Sequence, residues 1–309
     1  MLKYTLSRIG YMLVTFFVIA AMTFMMMQLL PGSPFNSEKL TDEQIEILKK
    51  AYDLDEPVPQ RFVKYMVGLV QGDLGVSFAL DGRPVSQIIS NRIGPSATIG
   101  GEAIVFGTIL GLLLGIIAAL KRNTIIDYSA MVIAVLGISV PAFVLGALLQ
   151  YYFAVKWRLF PVTFHDSIEG HILPVFSLAV LVIATVARFM RTEMLDVLGQ
   201  DYIMTATAKG LSRVQVIFKH TVRNALIPVV TIIGPLIVAL MTGSLVIEAI
   251  FAVPGLGSEF VDSISKRDYP MIMGVTLFYS MLFISSILVV DLMYGVIDPR
   301  IRLAGGDDK

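Results

Sequence analysis

The 309-residue chain contains no cysteine, a single tryptophan and few charged side chains. Without cysteine there is no disulfide, no thiolate metal ligand and no cysteine nucleophile. Charged residues make up only 16 % of the chain, against about 25 % in an average soluble domain. The 24 basic and 24 acidic side chains cancel, which argues against a nucleic-acid-binding protein. This shortage of charge also argues against a soluble enzyme, because a chain of this size needs more charge to cover its surface.

The motifs of several enzyme classes are missing as well. The sequence has no G-x-x-x-x-G-K-[ST] nucleotide loop, no H-E-x-x-H zinc motif and no G-x-S-x-G nucleophile motif. Its three histidines, His165, His171 and His220, are expected to lie in loops as ordinary loop residues. We therefore expect no catalytic residue, no metal and no cofactor in this chain.

The chain is instead rich in long apolar runs, and 56 % of its residues are hydrophobic. About 20 apolar residues of helix are enough to cross a bilayer. Six stretches qualify: residues 9–30, 97–120, 128–155, 174–190, 228–250 and 274–297. They predict an all-α integral membrane protein with six transmembrane helices.

Lysine and arginine predict the orientation of these helices. With the N-terminus in the cytoplasm, the inner segments hold thirteen basic residues and the short outer loops hold four. Both termini are then cytoplasmic. The chain divides into a first helix (residues 1–30), an outer loop (31–96) and a five-helix core (97–309).

The outer loop is too long for a plain connection and carries helical signals. Thr41 and Gln44 form a capping-box pattern, and a second helix is expected to begin near Gln60, after Pro57 and Pro59. The apolar stripe of this second helix is Phe62, Tyr65, Met66 and Leu69. We expect two short helices that form a docking surface or a lid; a solvated linker is the alternative.

The inner segment, residues 191–227, predicts a helix, a glycine bend and a second helix. Asp201 is placed to cap the first helix, and Gly210 follows it where a left-handed residue is expected. Ser212 and Gln215 form another capping box. The expected apolar face of the second helix is Val214, Ile217, Phe218, Thr221 and Val222. The small residues before Gly210 favour close contact with another protein over an ordinary solvated loop.

Proline and glycine interrupt two of the predicted spans. Gly234-Pro235 lies within the fifth span and Pro141 in the middle of the third. Backbone groups freed at membrane depth are tolerated only beside protein or a water-lined cavity. The candidate path or gate residues are Pro141, Gly234, Pro235, Gly243, Ser244 and Glu248. Kinks for packing alone are the alternative, and Glu248, near an outer helix end, is expected to reach water.

Gly107, Gly111 and Gly115 recur every four residues on one face of the second span. Small residues at this spacing let two helices approach closely. The sequence leaves open whether the facing helix belongs to this chain or to a second one.

Several segments resemble the permease subunits of ABC importers. ATAKGL at 206–211 and NALIP at 224–228 resemble the cytoplasmic EAA loop, with Met204 and Thr205 replacing its glutamate and first alanine. Further matching segments are PGSPF at 31–35, GDLG at 72–75, GSLVIE at 243–248, FAVPGLG at 251–257, RDYP at 267–270 and IDPRIR at 297–302. They run nearly end to end and most resemble the B-type permease subunit of bacterial oligopeptide importers, in the oligopeptide/dipeptide/nickel branch.

This resemblance implies a type I ABC-importer permease fold in the bacterial inner membrane. The implied partners are a homologous second permease, two cytoplasmic ATPase subunits, a substrate-binding protein, membrane lipid and a peptide substrate, with no nucleic acid. The inner segment would couple to the ATPases through Tyr202, Thr205, Ala206, Ala208, Lys209, Gly210, Leu211 and Ser212. Oligopeptides are the favoured substrate, with dipeptide and nickel as alternatives.

Two other classes of function remain as weaker alternatives. An ion-coupled carrier would use Glu102 or Asp291 as a proton relay, although no basic intramembrane partner is evident. An intramembrane enzyme would need a catalytic constellation that the sequence lacks.

Overall fold

The computed structural model describes residues 2–29, 35, 41–241 and 245–297, and the regular elements in them are helical. The helices are α1 (Leu2–Gln28), α2 (Asp42–Ala51), α3 (Val58–Val70), α4 (Val85–Leu120), α5 (Ile125–Ser139), α6 (Ala142–Leu149), α7 (Ile168–Leu198), α8 (Asp201–Ala208), α9 (Arg213–Gln215), α10 (Arg223–Met241), α11 (Leu245–Ile250), α12 (Leu256–Lys266) and α13 (Tyr269–Ile297). π-Helical turns continue α6 over Gln150–Lys156 and α9 over Val216–Val222. The predicted all-α class is confirmed.

Within this described part, five helices are long and apolar enough to cross a membrane. They cover Thr5–Gln28, Val85–Leu120, Ile168–Leu198, Arg213–Ile237 and Tyr269–Val289. A sixth crossing requires α5 and α6 together, and these two helices are bent by 99° where they meet. Val140 is extended there, and Pro141, which has no amide hydrogen to donate, is the N-cap of α6. The sixth crossing therefore stays a prediction.

The described residues form two units. In the first unit, up to Gly94 and from Pro254 onward, α1 packs along α13 and contacts α3. In the second unit, Pro95–Val253, α7 packs against α5, α6 and α10. More than half of the most apolar stretch of α7 is buried, against 11 % for α1. Helix α7 is thus the centre of the second unit.

The outer loop contains the two expected helices. The side chain of Thr41 accepts a hydrogen bond from the Gln44 amide, and Gln44 Oε1 accepts one from the Thr41 amide at 2.9 Å. Helix α3 begins at Val58, slightly earlier than expected near Gln60. The cause is Pro57, which is the N-cap, while Pro59 occupies a first-turn position that needs no amide hydrogen.

The apolar stripe of α3 packs as the sequence predicts. Phe62, Tyr65, Met66 and Leu69 lie against a core in the first unit that includes Phe24 of α1. The phenol of Tyr65 is largely buried, and this burial raises its pKa. On the opposite, exposed side, hydrogen bonds to Glu56 and Asp53 raise the pKa of Lys64.

The glycine repeat of α4 packs within this chain, against α7. A Cβ at Gly107 would meet Val182 Cβ at 2.6 Å, and one at Gly111 would meet Val186 Cβ at 2.8 Å. At Gly115 the nearest atom is the backbone oxygen of Ala187, at 2.6 Å. Real Cβ atoms do not approach so closely, so α4 and α7 are in backbone contact that glycine alone permits.

A partly buried ion pair joins α5 to α7. Arg191 Nε and Nη2 donate to the two carboxylate oxygens of Asp127 at 2.6 and 2.8 Å. Asp127 is only 1 % exposed and also accepts from the amide of Asn123 at 3.0 Å. Removing Arg191 would be costly, because it would leave the Asp127 carboxylate charged and buried without its partner. The pair therefore joins the start of α5 to the last two turns of α7.

Candidate functional site

The inner segment folds into a short helix closed by a fixed bend. At the end of α8, Gly210 has φ +83°, in the left-handed region that favours glycine. Its amide donates to Thr207 O at 3.0 Å, and the Leu211 amide donates to Ala206 O at 3.4 Å. These two bonds form a Schellman motif, so the predicted left-handed Gly210 is confirmed.

The second predicted capping box is also present. The Ser212 side chain accepts from the Gln215 amide, and the Ser212 amide donates to Gln215 Oε1 at 3.0 Å. Helix α9 therefore begins shortly after Gly210, and its π-helical turn runs on into α10. The bend is closed on both sides by hydrogen bonds within the segment.

A small apolar core fixes α8 against the following helix. Ile203, Ala206 and Val216 are each less than a tenth exposed and pack together, with Val197 and Leu211 partly buried beside them. At the other end of α8, Asn224 Nδ2 donates to Tyr202 Oη at 3.2 Å. Helix α8 is therefore joined to the following helical segment by apolar packing and to α10 by one side-chain hydrogen bond.

The expected cap on α8 is wrong. Helix α8 has Gln200 at its N-cap, and no side-chain hydrogen bond caps it. Asp201 lies instead in the first turn of the helix, where its carboxylate faces the positive end of the helix dipole. The helix starts one residue earlier than the capping pattern placed it.

The expected apolar face of the second helix is only partly right. Thr221 is buried and Ile217 and Val222 are half-buried, as expected. Val214 and Phe218 are instead 64 % and 61 % exposed, and Val216, outside the expected face, is buried. Thr221 Oγ1 donates to Val216 O at 3.2 Å, five residues back. The π-helical turn changes which side chains share a face, and a prediction based on 3.6 residues per turn cannot include that change.

The residues predicted to contact the ATPases are mostly exposed. Tyr202, Thr205, Ala208, Lys209, Gly210 and Ser212 are exposed, Leu211 is half-buried, and Ala206 is buried inside the segment. Three large apolar side chains of the same segment, Met204, Val214 and Phe218, are also more than 60 % exposed. The apolar pattern of the sequence places Val214 and Phe218 on the apolar face of the second helix and does not predict their exposure. We call Met204, Val214 and Phe218 the apolar patch of the inner segment. Exposed apolar side chains of this size are available for contact with another protein.

The candidate path residues lie in several helices of the second unit. Pro141 is at the bend between α5 and α6, and α10 runs unbroken through Gly234 and Pro235. Gly243 and Ser244 lie outside the described residues. Most of the PGSPF segment at 31–35 and most of the IDPRIR segment at 297–302 also lie outside them. Helices α6 and α11 pack together. A path role for these residues stays a prediction.

Glu248 does not reach water as expected. It lies in the short helix α11, is 3 % exposed and accepts a hydrogen bond from Ser96 Oγ at 2.7 Å. The prediction was wrong because α11 packs against α6 and α7, which cover the helix end.

Two histidines are in helices rather than loops. His171 lies in α7, and His220 lies in the π-helical turn after α9. His171 Nδ1 is 3.0 Å from a carboxylate oxygen of Glu102, and the imidazole stacks on Phe164 at 5.0 Å. Glu102 therefore has a basic neighbour that its sequence position did not reveal. The side chain of Asp291 lies outside the described residues, and no group of three His, Asp or Glu in the described part could hold a metal.

The chain matches a known protein family, and solved structures share its fold. Residues 111–303 match the binding-protein-dependent transport system inner membrane component family, and residues 1–95 match the N-terminal domain of that family. Two solved structures share the fold. An amino acid ABC transporter aligns with a TM-score of 0.55 and 14 % identity, over 67 % of this chain and 93 % of the other. The MetNI methionine ABC transporter aligns with a TM-score of 0.51 and 17 % identity, over 67 % and 96 %. The class is therefore a membrane permease with an ABC importer fold.

Relatives match over almost the whole length. The dipeptide transport system permease protein DppB is 46 % identical in Bacillus subtilis and 44 % identical in Lactococcus lactis, over 98 % of this chain and 99 % and 100 % of those proteins. The glutathione transport system permease protein GsiC of Escherichia coli is 41 % identical, over 98 % and 99 %. The chain belongs to the family of binding-protein-dependent transport system inner membrane components. It is thus a multi-pass transport subunit of a bacterial inner membrane, works with ABC complex partners and a binding protein, and is not a catalytic subunit.

Proposed function

We propose that this chain forms half of the translocation path of an ATP-driven importer for short peptides. A homologous second permease supplies the other half. The observation that carries the proposal is the full-length similarity to permeases named for dipeptide and glutathione transport. Both substrates are short peptides, which favours di- and tripeptides over the longer oligopeptides that the sequence resemblance indicated.

Energy enters through the inner segment in this proposal. The chain has no nucleotide-binding loop of its own, so two ATPase subunits supply the energy. The Schellman motif and the apolar core make α8 rigid, and the apolar patch gives an ATPase groove something to bind. Closure of the ATPase pair would then tilt α10 and, through packing, α7.

The predicted orientation is part of the proposal. It places the inner segment in the cytoplasm and the outer loop, with α2 and α3, on the opposite side. The excess of lysine and arginine in the inner segments supports this assignment. The binding protein would then dock on the outer side and deliver peptide there.

Uptake by the complete transporter tests the proposal. The chain, its partner permease, the ATPases and the binding protein are reconstituted in liposomes, with or without ATP on the ATPase side. We expect uptake of a labelled dipeptide only with ATP. Excess unlabelled di- and tripeptides should compete with it, and hexapeptides or Ni²⁺ should not.

The control measures this chain alone under an imposed proton gradient, and we expect no uptake from it. Gradient-driven uptake that is lost on Glu102→Gln would instead support the ion-coupled carrier, since Glu102 lies 3.0 Å from the imidazole of His171. Competition by hexapeptides or Ni²⁺ in the complete transporter would change the substrate class.

A further inference from the structure

A polar cavity of about 300 Å³ lies in the first unit, beside the start of α4 and α12. Its lining residues are Leu80, Arg83, Gln87, Ile88, Asn91, Arg92 and Glu259. The volume is at the lower end of the range for small-molecule sites. The predicted orientation places it on the outer side, where substrate arrives.

Within the described residues, one of the two arginines in the cavity is paired with a carboxylate, and the other is not. Arg92 Nη2 lies 3.2 Å from Glu259 Oε2, and the Glu259 side chain is about nine-tenths buried. Arg83 has no carboxylate within ion-pair distance in the part of the chain that the structure describes. The cavity therefore has a surplus of one positive charge, located at Arg83.

The remaining polar groups suit a peptide backbone. Gln87 and Asn91 are four residues apart on α4 and so lie on the same face of the helix, and both line the cavity with Arg83. Each amide side chain both donates and accepts hydrogen bonds, as a peptide group does. An arginine that is free to form a two-bond contact is the best match for a carboxylate.

We propose that this cavity binds the C-terminal carboxylate of a short peptide, with Arg83 as the specificity-determining residue. The proposal rests on the proposed function, because it names the end of the peptide that the permease recognises. Gln87 and Asn91 bind the adjacent peptide group. Glu259 holds Arg92 and limits the positive charge, which prevents the site from retaining the peptide too tightly.

The test measures peptide binding without the binding protein. The complete transporter, both permeases with the ATPases, is placed in lipid nanodiscs, and the dissociation constants of Ala-Phe and its C-terminal amide are measured by NMR. We expect the free acid to bind about tenfold more tightly, which is the loss expected for one charged hydrogen bond. Arg83→Gln should remove this preference, and Glu259→Gln should increase it because the net charge rises by one. The matched control is Arg158→Gln, at an exposed arginine outside the cavity, which should change nothing.

A preference for the free acid that falls in Arg83→Gln and rises in Glu259→Gln supports recognition of the carboxylate. A purely structural role would instead weaken peptide binding in both variants. An unchanged preference for the free acid in Arg83→Gln would overturn the proposal. The proposal would also be overturned if Arg83→Gln reduced only the stimulation of the ATPases by the binding protein. That result would assign Arg83 to docking of the binding protein. ATP-dependent dipeptide uptake is measured on the same preparation. If uptake persists without a carboxylate preference, only the cavity proposal fails; if uptake is absent, the proposed function fails.

Discussion

Replacing Gly210 by proline is expected to abolish ATP-driven uptake while the chain still inserts into the membrane. Proline fixes φ near −65°, whereas Gly210 has φ +83°, and it removes the amide that donates to Thr207. The bend between α8 and α9 must then change shape, because proline cannot adopt the left-handed conformation found there. We expect uptake to fall at least about tenfold, a loss of about 1.4 kcal/mol. Uptake in liposomes and co-purification of the ATPases measure the effect.

A second glycine near the same bend provides the control. Gly199 follows α7 and has an ordinary right-handed conformation, and the atom nearest to an added Cβ there would be Asp196 O at 3.5 Å. Gly199→Ala should therefore leave uptake and ATPase co-purification near those of the native chain. Normal uptake by Gly210→Pro would show that the shape of the bend does not matter for coupling.

Replacing Gly115 by alanine is expected to destabilise the chain, whereas the same change at Gly101 should stabilise it slightly. At Gly115 the new methyl group would meet the backbone oxygen of Ala187 at 2.6 Å and Met190 Cβ at 2.7 Å. Backbone cannot move aside cheaply, so we expect a loss of about 1–3 kcal/mol from overpacking. The midpoint of thermal unfolding in detergent measures this loss.

Gly101→Ala is the matched control for this effect. Gly101 lies in the same helix, and nothing is within 4 Å of an added Cβ there. Alanine is the better helix former by up to about 1 kcal/mol, so the midpoint should rise slightly. Equal shifts for Gly115→Ala and Gly101→Ala would mean that α4 and α7 are not in backbone contact.

Local chemistry explains what could be predicted from the sequence. The two capping boxes at Thr41 and Ser212 and the left-handed Gly210 each depend on a few consecutive residues. The apolar runs that cross a membrane depend only on length and composition. These features need no knowledge of neighbouring helices. The structure confirms the capping boxes and Gly210, and its described part contains five helices long and apolar enough to cross a membrane.

Features that depend on tertiary packing could not be predicted. Glu248 is buried because other helices cover α11. His171 contacts Glu102, which is 69 residues away in the sequence. Phe218 is exposed within a π-helical turn, which the apolar pattern of this segment does not signal. The sequence likewise left open which helix faces the glycine repeat of α4, and the structure shows that it is α7.

The central claim is that the inner segment is the part of this chain that the ATPases contact. Because the native chain contains no cysteine, Met204→Cys introduces a single thiol into the apolar patch for a benzophenone photo-crosslinker. The control is Val63→Cys, at a similarly exposed residue of α3 in the outer loop. In the assembled transporter, we predict that the label at position 204 crosslinks to an ATPase subunit and that the label at position 63 does not. A complex that hydrolyses ATP but crosslinks only from position 63, or from neither position, would contradict the account.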